Sequence, residues 1–497
     1  DTEELAGLTF CGVPYLLYGR NLSVAWGMVN AGVSVQDLYV ERFNPNNPLQ
    51  FDDHGTWQDA VRFREVIRVR GARPQQEDVL VTRRGPVISP AVPGTHPSMS
   101  LRWTGFDSEV DSISWARRLN LATDWRSFRA AVSSCAAPAM GVTYADTSGN
   151  IGYRLSGFVP TRRPGQGRVP SRGWARDDEW LGFVALEEMP ELFNPASGQV
   201  VAANQPVAVE TCPHALVFED LGGARAARIE SLLAGRTGLA AQDCAAIQAD
   251  LVSVEAVEFL ALVAEAVRYL PVGHPTQAVT MLRAWDGAII PGSAPAALYE
   301  AIRADLFERV AGARMSAPLR PLAADAVMTG VMGVVRAGVA AGDSTLLWDA
   351  LRSSWATLER QQGPDPRRWS IAGERRFTFT HALAETLSAL GPVLSRGPFE
   401  VPGDRSTVRV GWVASGRVTS AFYRAVYDLG QLPRSAWISA PGQSGHPASP
   451  HYADTVPRWL RAELEPMAED PAAPGGHLLV LRPAATERAA LGSADPG

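Results

Sequence analysis

The chain has 497 residues, of which 46% are hydrophobic and 20% are charged, and its formal net charge is -6. These values are typical of a folded globular protein, and the acidic balance argues against nucleic acid as the main partner, which normally requires a basic face. All 46 basic residues are arginines. Schiff-base lysines, phosphate-binding P-loops and Ser–Lys nucleophile pairs are therefore excluded within this chain.

The four cysteines are widely spaced and form no C-x-x-C motif, so a zinc site is not expected. The spacing predicts buried free thiols, with one disulfide as the alternative; the positions are Cys11, Cys135, Cys212 and Cys244. The longest apolar stretch, residues 326–342, is interrupted by Arg336 and by glycines. It predicts a core helix and not a membrane span.

Three regions differ in hydrophobic pattern along the chain. Residues 1–221 are rich in short alternating segments typical of strands, such as 65–71, 79–89 and 198–205, interrupted by one or two amphipathic helices. Apolar residues at helical spacing mark 222–395 as mainly helical. Strand patterns return over 396–484, and 485–497 is expected to be a flexible tail. This order predicts one α+β core with a helical insertion.

Local catalytic motifs do not identify a function. The chain contains no G-x-S-x-G nucleophile elbow, no H-E-x-x-H zinc motif and no G-x-G-x-x-G that follows a strand. Its eight histidines are scattered. Longer segments carry more information, because several of them occur in a fixed order.

Five such segments together closely resemble the penicillin acylase (penicillin amidase) family of N-terminal nucleophile hydrolases. The resemblance extends from about residue 8 to about residue 465 and is carried by "GRNLSVAWGMVNAGVSVQDLYVER" (19–42), "TYADTSGNIGYRLSGFVPTRR" (143–163), "NPASGQVVAANQPV" (194–207), "ARAARIESLL" (224–233) and "GQSGHPASPHYADTVPRW" (442–459). It implies a four-layer αββα N-terminal-nucleophile hydrolase core with a helical insertion. It also implies hydrolysis of a linear amide to a carboxylic acid and an amine, as in penicillin, cephalosporin and acyl-homoserine lactone acylases.

The family mechanism uses a serine that becomes the first residue of the large chain after a precursor is cut. The free α-amino group of that serine acts as its own general base. A main-chain N–H and an asparagine amide then hold the tetrahedral intermediate. The resemblance further implies an α chain from the same precursor, no required cofactor, a small acyl amide as substrate, and export to the periplasm or beyond.

Matching the motifs residue by residue assigns the expected catalytic groups. Asn204 in "VVAANQPV" corresponds to the oxyanion asparagine, and the Trp-Gly turn places the main-chain donor at Asn30 or Ala31. Arg225 falls where family members keep an active-site arginine. Arg228 is the competing match, better explained by helix packing or a salt bridge.

Two further positions, Tyr18 and Met28, correspond to residues that line the acyl pocket.

Simpler explanations exist for the same residues. An asparagine before Gln-Pro is usually a turn residue, although the surrounding segments favour the oxyanion role for Asn204. Asp146 is most simply a turn former in the hairpin signal 146–150. His451 and Asp454 look catalytic, but their segment is expected to be structural.

Two features depart from the family pattern. The nucleophilic serine is expected upstream of Asp1, so the chain is interpreted as a piece of a longer precursor; the alternative is a catalytically inactive homologue that only binds or supports structure. A weaker alternative, prompted by 14 tryptophans, is a carbohydrate-active protein, but no paired-carboxylate motif supports it.

The second departure concerns calcium, which many members bind through G-x-D-x-x-D. Here Ser34 replaces the first aspartate and only Asp37 remains, which places calcium binding in doubt.

Overall fold

The computed structural model is an α+β fold that describes residues 4–467, with gaps at 92–96, 108–112, 206–211, 213, 215, 217–222, 270–272, 274, 316–319, 372, 374 and 415–416. The predicted tail, 485–497, lies outside the described residues. Short strands precede the first helix; they are β1 (Ala6–Leu8), β2 (Tyr18–Arg20), β3 (Val24–Asn30), β4 (Gln36–Val40), β5 (Phe43–Asn44), β6 (Asn47–Asp53), β7 (Thr56–Asp59), β8 (Val61–Ile67), β9 (Gln75–Thr82), β10 (Gly85–Pro86) and β11 (Met99–Trp103).

Two helices and a second group of strands follow. They are α1 (Ser114–Asn120), α2 (Trp125–Ser133), β12 (Met140–Asp146), β13 (Ile151–Leu155), β14 (Pro160–Thr161), β15 (Ser171–Arg172), β16 (Gly182–Phe183) and β17 (Glu191–Phe193). A six-stranded antiparallel sheet forms in the order β1-β2-β3-β12-β13-β17. Both helices pack on one face of this sheet, where Trp26, Trp115 and Phe128 are buried in a common apolar cluster. This cluster fixes the position of β3, which carries the candidate site.

The hairpin between β12 and β13 is closed by Asp146, as its sequence predicted. One carboxylate oxygen accepts from the N–H groups of Ser148 and Asn150, and the other accepts from the Tyr144 hydroxyl and the Asn150 amide. Burial opposes ionisation, but these hydrogen bonds hold the pKa of Asp146 below its usual value. The charged form therefore stabilises the folded chain.

Replacing Asp146 with alanine is expected to lower the free energy of unfolding by about 1–2 kcal/mol at neutral pH, because the turn loses its acceptors. A lowered folded-state pKa gives stability that is present above the unfolded pKa and is lost as pH falls through the folded pKa. The difference between wild type and Asp146→Ala should therefore shrink below about pH 4. Chemical denaturation at several pH values tests this, and a difference that stays constant into acid would contradict it.

The predicted strand at 198–205 is wrong. No strand forms there, and the preceding strand β17 ends at Phe193. The main-chain groups are bonded to side chains instead, since the Gln205 amide donates to the carbonyl of Val201 and accepts from the N–H of Ala203. The apolar residues of the segment still pack inward, with Val200 and Ala202 against a buried cluster. Burial thus produced the strand-like pattern without a partner strand.

Helices dominate the next region. They are α3 (Ala224–Leu233), α4 (Ala241–Gln248), α5 (Val254–Ala266), α6 (Thr276–Arg283), α7 (Ala294–Val310), α8 (Arg320–Ala340) and α9 (Thr345–Gln362), followed by β18 (Arg376–Phe379), α10 (Ala382–Thr386) and α11 (Gly391–Leu394). Val331, Val335 and Val339 recur at helical spacing on the buried side of α8, so the apolar stretch forms a core helix as predicted. Within the part of the chain that the structure describes, no helix is long and apolar enough to cross a membrane.

Strands return in the final region. They are β19 (Arg396–Glu400), β20 (Gly411–Ala414), β21 (Arg417–Ser420), β22 (Tyr423–Val426) and β23 (Ala436–Ser439), followed by α12 (Val456–Arg461) and β24 (Glu465–Pro466). A separate small cluster of Val401, Ile438 and Trp459 packs beneath them. The chain therefore passes from strands through helices to strands, around several buried clusters.

The four cysteines are all free, as predicted, but the predicted burial is confirmed only for Cys135, because Cys212 and Cys244 are partly exposed. Cys11 is exposed and Cys135 is buried, and burial raises the pKa of the Cys135 thiol to about 12. The Cys135 thiol is therefore almost entirely protonated at pH 8, and the thiolate is the reactive form. We expect a thiol reagent to modify Cys11 rapidly in the native protein and Cys135 only after unfolding, as followed by mass spectrometry. Cys11→Ser should remove the modification at position 11, and fast labelling of native Cys135 would contradict its burial.

Candidate active site

The site begins at the end of β3, which lies between β2 and β12 in the six-stranded sheet. Alternation along the strand places the side chains of Trp26, Met28 and Asn30 on the same face. Trp26 is only 2% exposed and is held in the apolar cluster, whereas Asn30 is exposed at the strand end. The buried indole therefore fixes the register of the residues that follow it.

The main-chain groups of Asn30 point towards the β2 edge. In an antiparallel strand the N–H and C=O of one residue face the same neighbour, and successive residues alternate. The carbonyl of Val24 accepts from Asn21 just after β2 at 2.9 Å, while the carbonyl of Ser23 accepts from Thr147 just after β12 at 3.0 Å. Even-numbered residues of β3 thus face β2.

The pairing with β2 ends before Asn30 is reached. Its register joins Gly19 to Trp26 and Arg20 to Ala25. The N–H and C=O of Asn30 consequently extend beyond the paired region, on an edge where another group can approach them.

The group that approaches is Asn204, which sits in a tight turn with φ +72°. Asparagine is one of the few non-glycine residues that adopts this left-handed conformation readily. The side chain of Gln205 bonds main-chain groups on the preceding residues, to the carbonyl of Val201 at 2.8 Å and from the N–H of Ala203 at 2.6 Å. Gln205 therefore holds the turn that presents Asn204.

Both ends of the Asn204 amide are held. Its Nδ2 donates to the main-chain carbonyl of Asn30 at 2.7 Å, and its Oδ1 accepts from Nη2 of Arg225 at 2.7 Å. A carbonyl can only accept and a guanidinium can only donate, so these two partners fix which end of the amide is which. Among the residues that the structure describes, the Asn30 carbonyl is the one acceptor for Nδ2 of Asn204, so its second hydrogen can donate beside that carbonyl.

Arg225 lies in the first turn of α3 and is partly buried. Burial, and secondarily the positive charge of Arg405, lower the pKa of the Arg225 guanidinium. Arg228 on the same helix instead binds both carboxylate oxygens of Asp250, at 2.9 and 2.7 Å. The structure thus brings Arg225, and not Arg228, to Asn204.

The two sequence alternatives for the main-chain donor differ in direction. The N–H of Ala31 belongs to the same trans peptide as the Asn30 carbonyl, so it points the opposite way, away from Asn204. The N–H of Asn30 points to the same edge as its own carbonyl. The geometry therefore favours Asn30 over Ala31 as the donor that converges with the Asn204 amide.

The two predicted acyl-pocket residues lie on adjacent strands. Met28 precedes Asn30 by two residues on β3 and packs against the apolar cluster of that face. Tyr18 lies on β2, 6.5 Å from Phe10 between ring centroids, and burial raises the pKa of its hydroxyl. The described hydrogen bonds that join Asn30, Asn204 and Arg225 include neither residue, so their role in the acyl pocket stays a prediction.

The predicted cation residue, Asp37, has different partners. Its Oδ2 accepts from Nε of Arg162 at 2.8 Å and from the indole N–H of Trp180 at 2.6 Å. Nη2 of Arg162 also donates to the main-chain oxygen of Ser34 at 3.1 Å. A positive charge already lies among these oxygens, so the residues present do not fit a bound calcium ion. Neither Arg162 nor Trp180 was foreseen from the sequence.

Two other polar groups already have charged partners within the described residues. His451 and Asp454 are 2.9 Å apart but lie on the surface, with side chains 70% and 42% exposed. A second group consists of Asp53, His54 and Glu179. One possible ligand atom from each of these residues lies within 4.8 Å of the other two. Arginines at positions 83 and 84 donate to both of its carboxylates, which supplies the positive charge that a metal would bring.

Comparison with known proteins identifies the family of the chain. The sequence profile described as penicillin amidase matches residues 2–473. The chain belongs to the penicillin amidase family. Members of this family are hydrolases that act on amide bonds. Asn30, Asn204 and Arg225 are the residues of the expected site that the fold brings together.

Relatives and a solved structure support the assignment. The chain is 31% identical over 494 residues to a protein named penicillin acylase 2 proenzyme from Pseudomonas sp. (strain SE83), which covers 94% of this chain and 62% of that protein. It is 26% identical to an acyl-homoserine lactone acylase of Pseudomonas fluorescens (strain Pf0-1), which covers 93% and 60%. The chain spans about three-fifths of the length of these relatives.

The fold matches that of the thermostable penicillin G acylase from Alcaligenes faecalis, with a TM-score of 0.70 at 21% identity, which covers 97% of this chain and 92% of the other. This match confirms the N-terminal-nucleophile hydrolase fold that the sequence implied.

Proposed function

We propose that this chain is the large part of a penicillin acylase-type amidohydrolase, whose nucleophilic serine and α chain are encoded upstream of Asp1. The observation that carries the proposal is the Asn204 amide, held by Arg225 on one side and by the Asn30 carbonyl on the other. This arrangement places an oriented amide donor beside a main-chain N–H on a strand edge beyond its pairing with β2. Such a pair of donors suits a developing oxyanion.

The proposed reaction begins when the serine hydroxyl attacks the carbonyl carbon of a linear amide. The proton passes to the α-amino group of the same serine and then to the departing amine. The N–H of Asn30 and the Nδ2 of Asn204 stabilise the negative oxygen of the tetrahedral intermediate. Water then attacks the acyl-enzyme and releases the carboxylic acid. Arg225 positions the Asn204 amide by binding its oxygen.

The substrate is proposed to carry an apolar acyl group, since Met28 lies beside Asn30 on a face rich in apolar side chains. β-lactam amides and acyl-homoserine lactones are the two substrate classes suggested by the names of the relatives. Hydrolysis of the second class would make the protein a quorum-quenching enzyme. Export to the periplasm or beyond, with zymogen processing, is part of the same proposal.

The test uses the complete gene. Its product is expressed, the N-terminus of the mature large chain is sequenced, and hydrolysis of chromogenic phenylacetyl and fatty-acyl amides is measured. We expect a large chain that starts with serine and releases the chromophore. A gene without that serine, or a processed protein that hydrolyses neither amide, would favour the inactive homologue. Binding of phenylacetate or a long-chain acid would then show whether a pocket survives.

A further inference from the structure

The guanidinium of Arg162 lies among the oxygens of the loop that follows β3. Residues 32–37 correspond to the segment in which many family members bind calcium through two aspartates. Here Arg162 donates through Nε to Asp37 Oδ2 at 2.8 Å, and through Nη2 to the Ser34 carbonyl at 3.1 Å. Longer contacts reach the Ser34 hydroxyl at 3.5 Å and the carbonyl of Pro160 at 3.4 Å.

This ion pair is deeply buried. The side chains of Arg162 and Asp37 are only 4% and 7% exposed. The indole N–H of Trp180 occupies the same Asp37 oxygen at 2.6 Å, and the Arg162 guanidinium lies 5.6 Å from the Trp180 ring centroid. A buried carboxylate requires a compensating positive charge, and here a covalently attached side chain supplies it.

Calcium and this guanidinium exclude each other. Calcium requires about 6–8 oxygen ligands at about 2.3–2.6 Å, several of them charged. The loop offers a single carboxylate, because Ser34 stands where the pattern has its first aspartate. An ion bound to Asp37 and Ser34 would also meet the positive charge of Arg162 within a few ångströms, in a buried environment where repulsion is strong.

We propose that Arg162 takes the place of a structural calcium ion in this protein, so that the loop after β3 folds without a divalent metal. The Arg162 side chain crosslinks this loop to the segment after β14, as a shared ion would, but it cannot dissociate. The loop is therefore insensitive to calcium concentration. This inference concerns stability and does not depend on the catalytic role proposed for Asn204.

The first test uses the wild-type full-length gene product. We expect its Tm to be the same in EDTA and in millimolar calcium. Terbium, a luminescent calcium substitute, should give no luminescence sensitised by tryptophan, although Trp180 lies beside the loop and would act as the antenna. A fall in Tm with EDTA that calcium reverses, or sensitised terbium luminescence that calcium competes away, would overturn the proposal.

The second test converts the loop after β3 into a calcium-binding loop. Arg162→Ala should lower Tm by several degrees, since Asp37 is left buried without a cation. Ser34→Asp combined with Arg162→Ala restores two carboxylates, next to a cavity of about 650 Å³ that both loop residues line. We expect calcium to raise the Tm of this double variant, and terbium to luminesce when Trp180 is excited.

Two controls identify the site. Trp180→Phe in the double variant should abolish the luminescence while the calcium-dependent rise in Tm remains. Arg102→Ala removes another arginine beside Trp180, at 4.9 Å from its ring centroid, but should create no response to calcium. A folded double variant that responds to neither ion would overturn the proposal. If the double variant does not fold, the wild-type measurements decide.

Discussion

Asn204→Gly is expected to lower kcat of the complete enzyme by about 10²–10³-fold, which corresponds to about 2.7–4 kcal/mol of transition-state stabilisation. Glycine adopts the left-handed conformation of residue 204 (φ +72°) without strain, so the turn should persist. What disappears is the amide donor. KM should change little, because the donor acts on charge that develops only in the transition state. Steady-state kinetics on a chromogenic amide measure both constants.

Two further variants separate chemistry from folding. Asn204→Asp keeps the shape of the side chain and an acceptor for Arg225, but it cannot donate and should be as inactive as the glycine variant. Asn194→Gly changes another asparagine with positive φ (47°), whose side chain bonds Ile151 and Asn150 far from the strand end. That variant should retain kcat. Near-normal kcat in Asn204→Gly would remove residue 204 from the oxyanion site.

Arg225→Met is expected to lower kcat by about 10–10²-fold, the loss associated with one hydrogen bond to a charged group. Methionine fills similar space without donating to Asn204 Oδ1. The amide is then held only through its bond to the Asn30 carbonyl and can rotate away from the productive orientation. Arg225→Lys should recover part of the rate, because a lysine ammonium can still donate to the oxygen.

Arg228→Met is the matched control on the same helix. It removes the ion pair with Asp250 but leaves the contact between Arg225 and Asn204 intact. This variant should lose stability in thermal unfolding and keep its kcat. If Arg228→Met reduces kcat as much as Arg225→Met, the effect arises from helix α3 as a whole, and the positioning role of Arg225 is wrong.

Much of the site could be predicted from the sequence because its residues lie in distinctive segments with a fixed order. Those segments indicate Asn204, Arg225 and the Trp-Gly segment, and the structure brings Asn204 into contact with Arg225 and with Asn30. The predicted Trp-Gly turn is wrong, because Trp26 and Gly27 lie inside β3 and pair with the strands on both sides. The choice between Asn30 and Ala31 could not be made, since main-chain direction depends on which neighbouring strand pairs with each residue. Only the observed register of β2 and β12 fixes that direction.

Other features required the folded chain. The segment 198–205 alternates like a strand, but Gln205 uses its main-chain groups, and no local pattern distinguishes such a turn from an edge strand. Arg162 lies 125 residues from Asp37 in the sequence. The sequence therefore indicates that Ser34 replaces an aspartate, but it does not indicate that Arg162 pairs with Asp37. Local sequence patterns do not predict contacts between segments that are distant along the chain.

The positive φ of Asn204 limits which residues could fill position 204 in the proposed oxyanion site. Residue 204 must adopt a left-handed backbone and also present an amide donor, and asparagine alone meets both conditions at this side-chain length: glycine lacks the amide, and glutamine is disfavoured in that conformation. Residues 204 and 225 are therefore the positions to hold constant when Tyr18 and Met28, the predicted acyl-pocket residues, are varied.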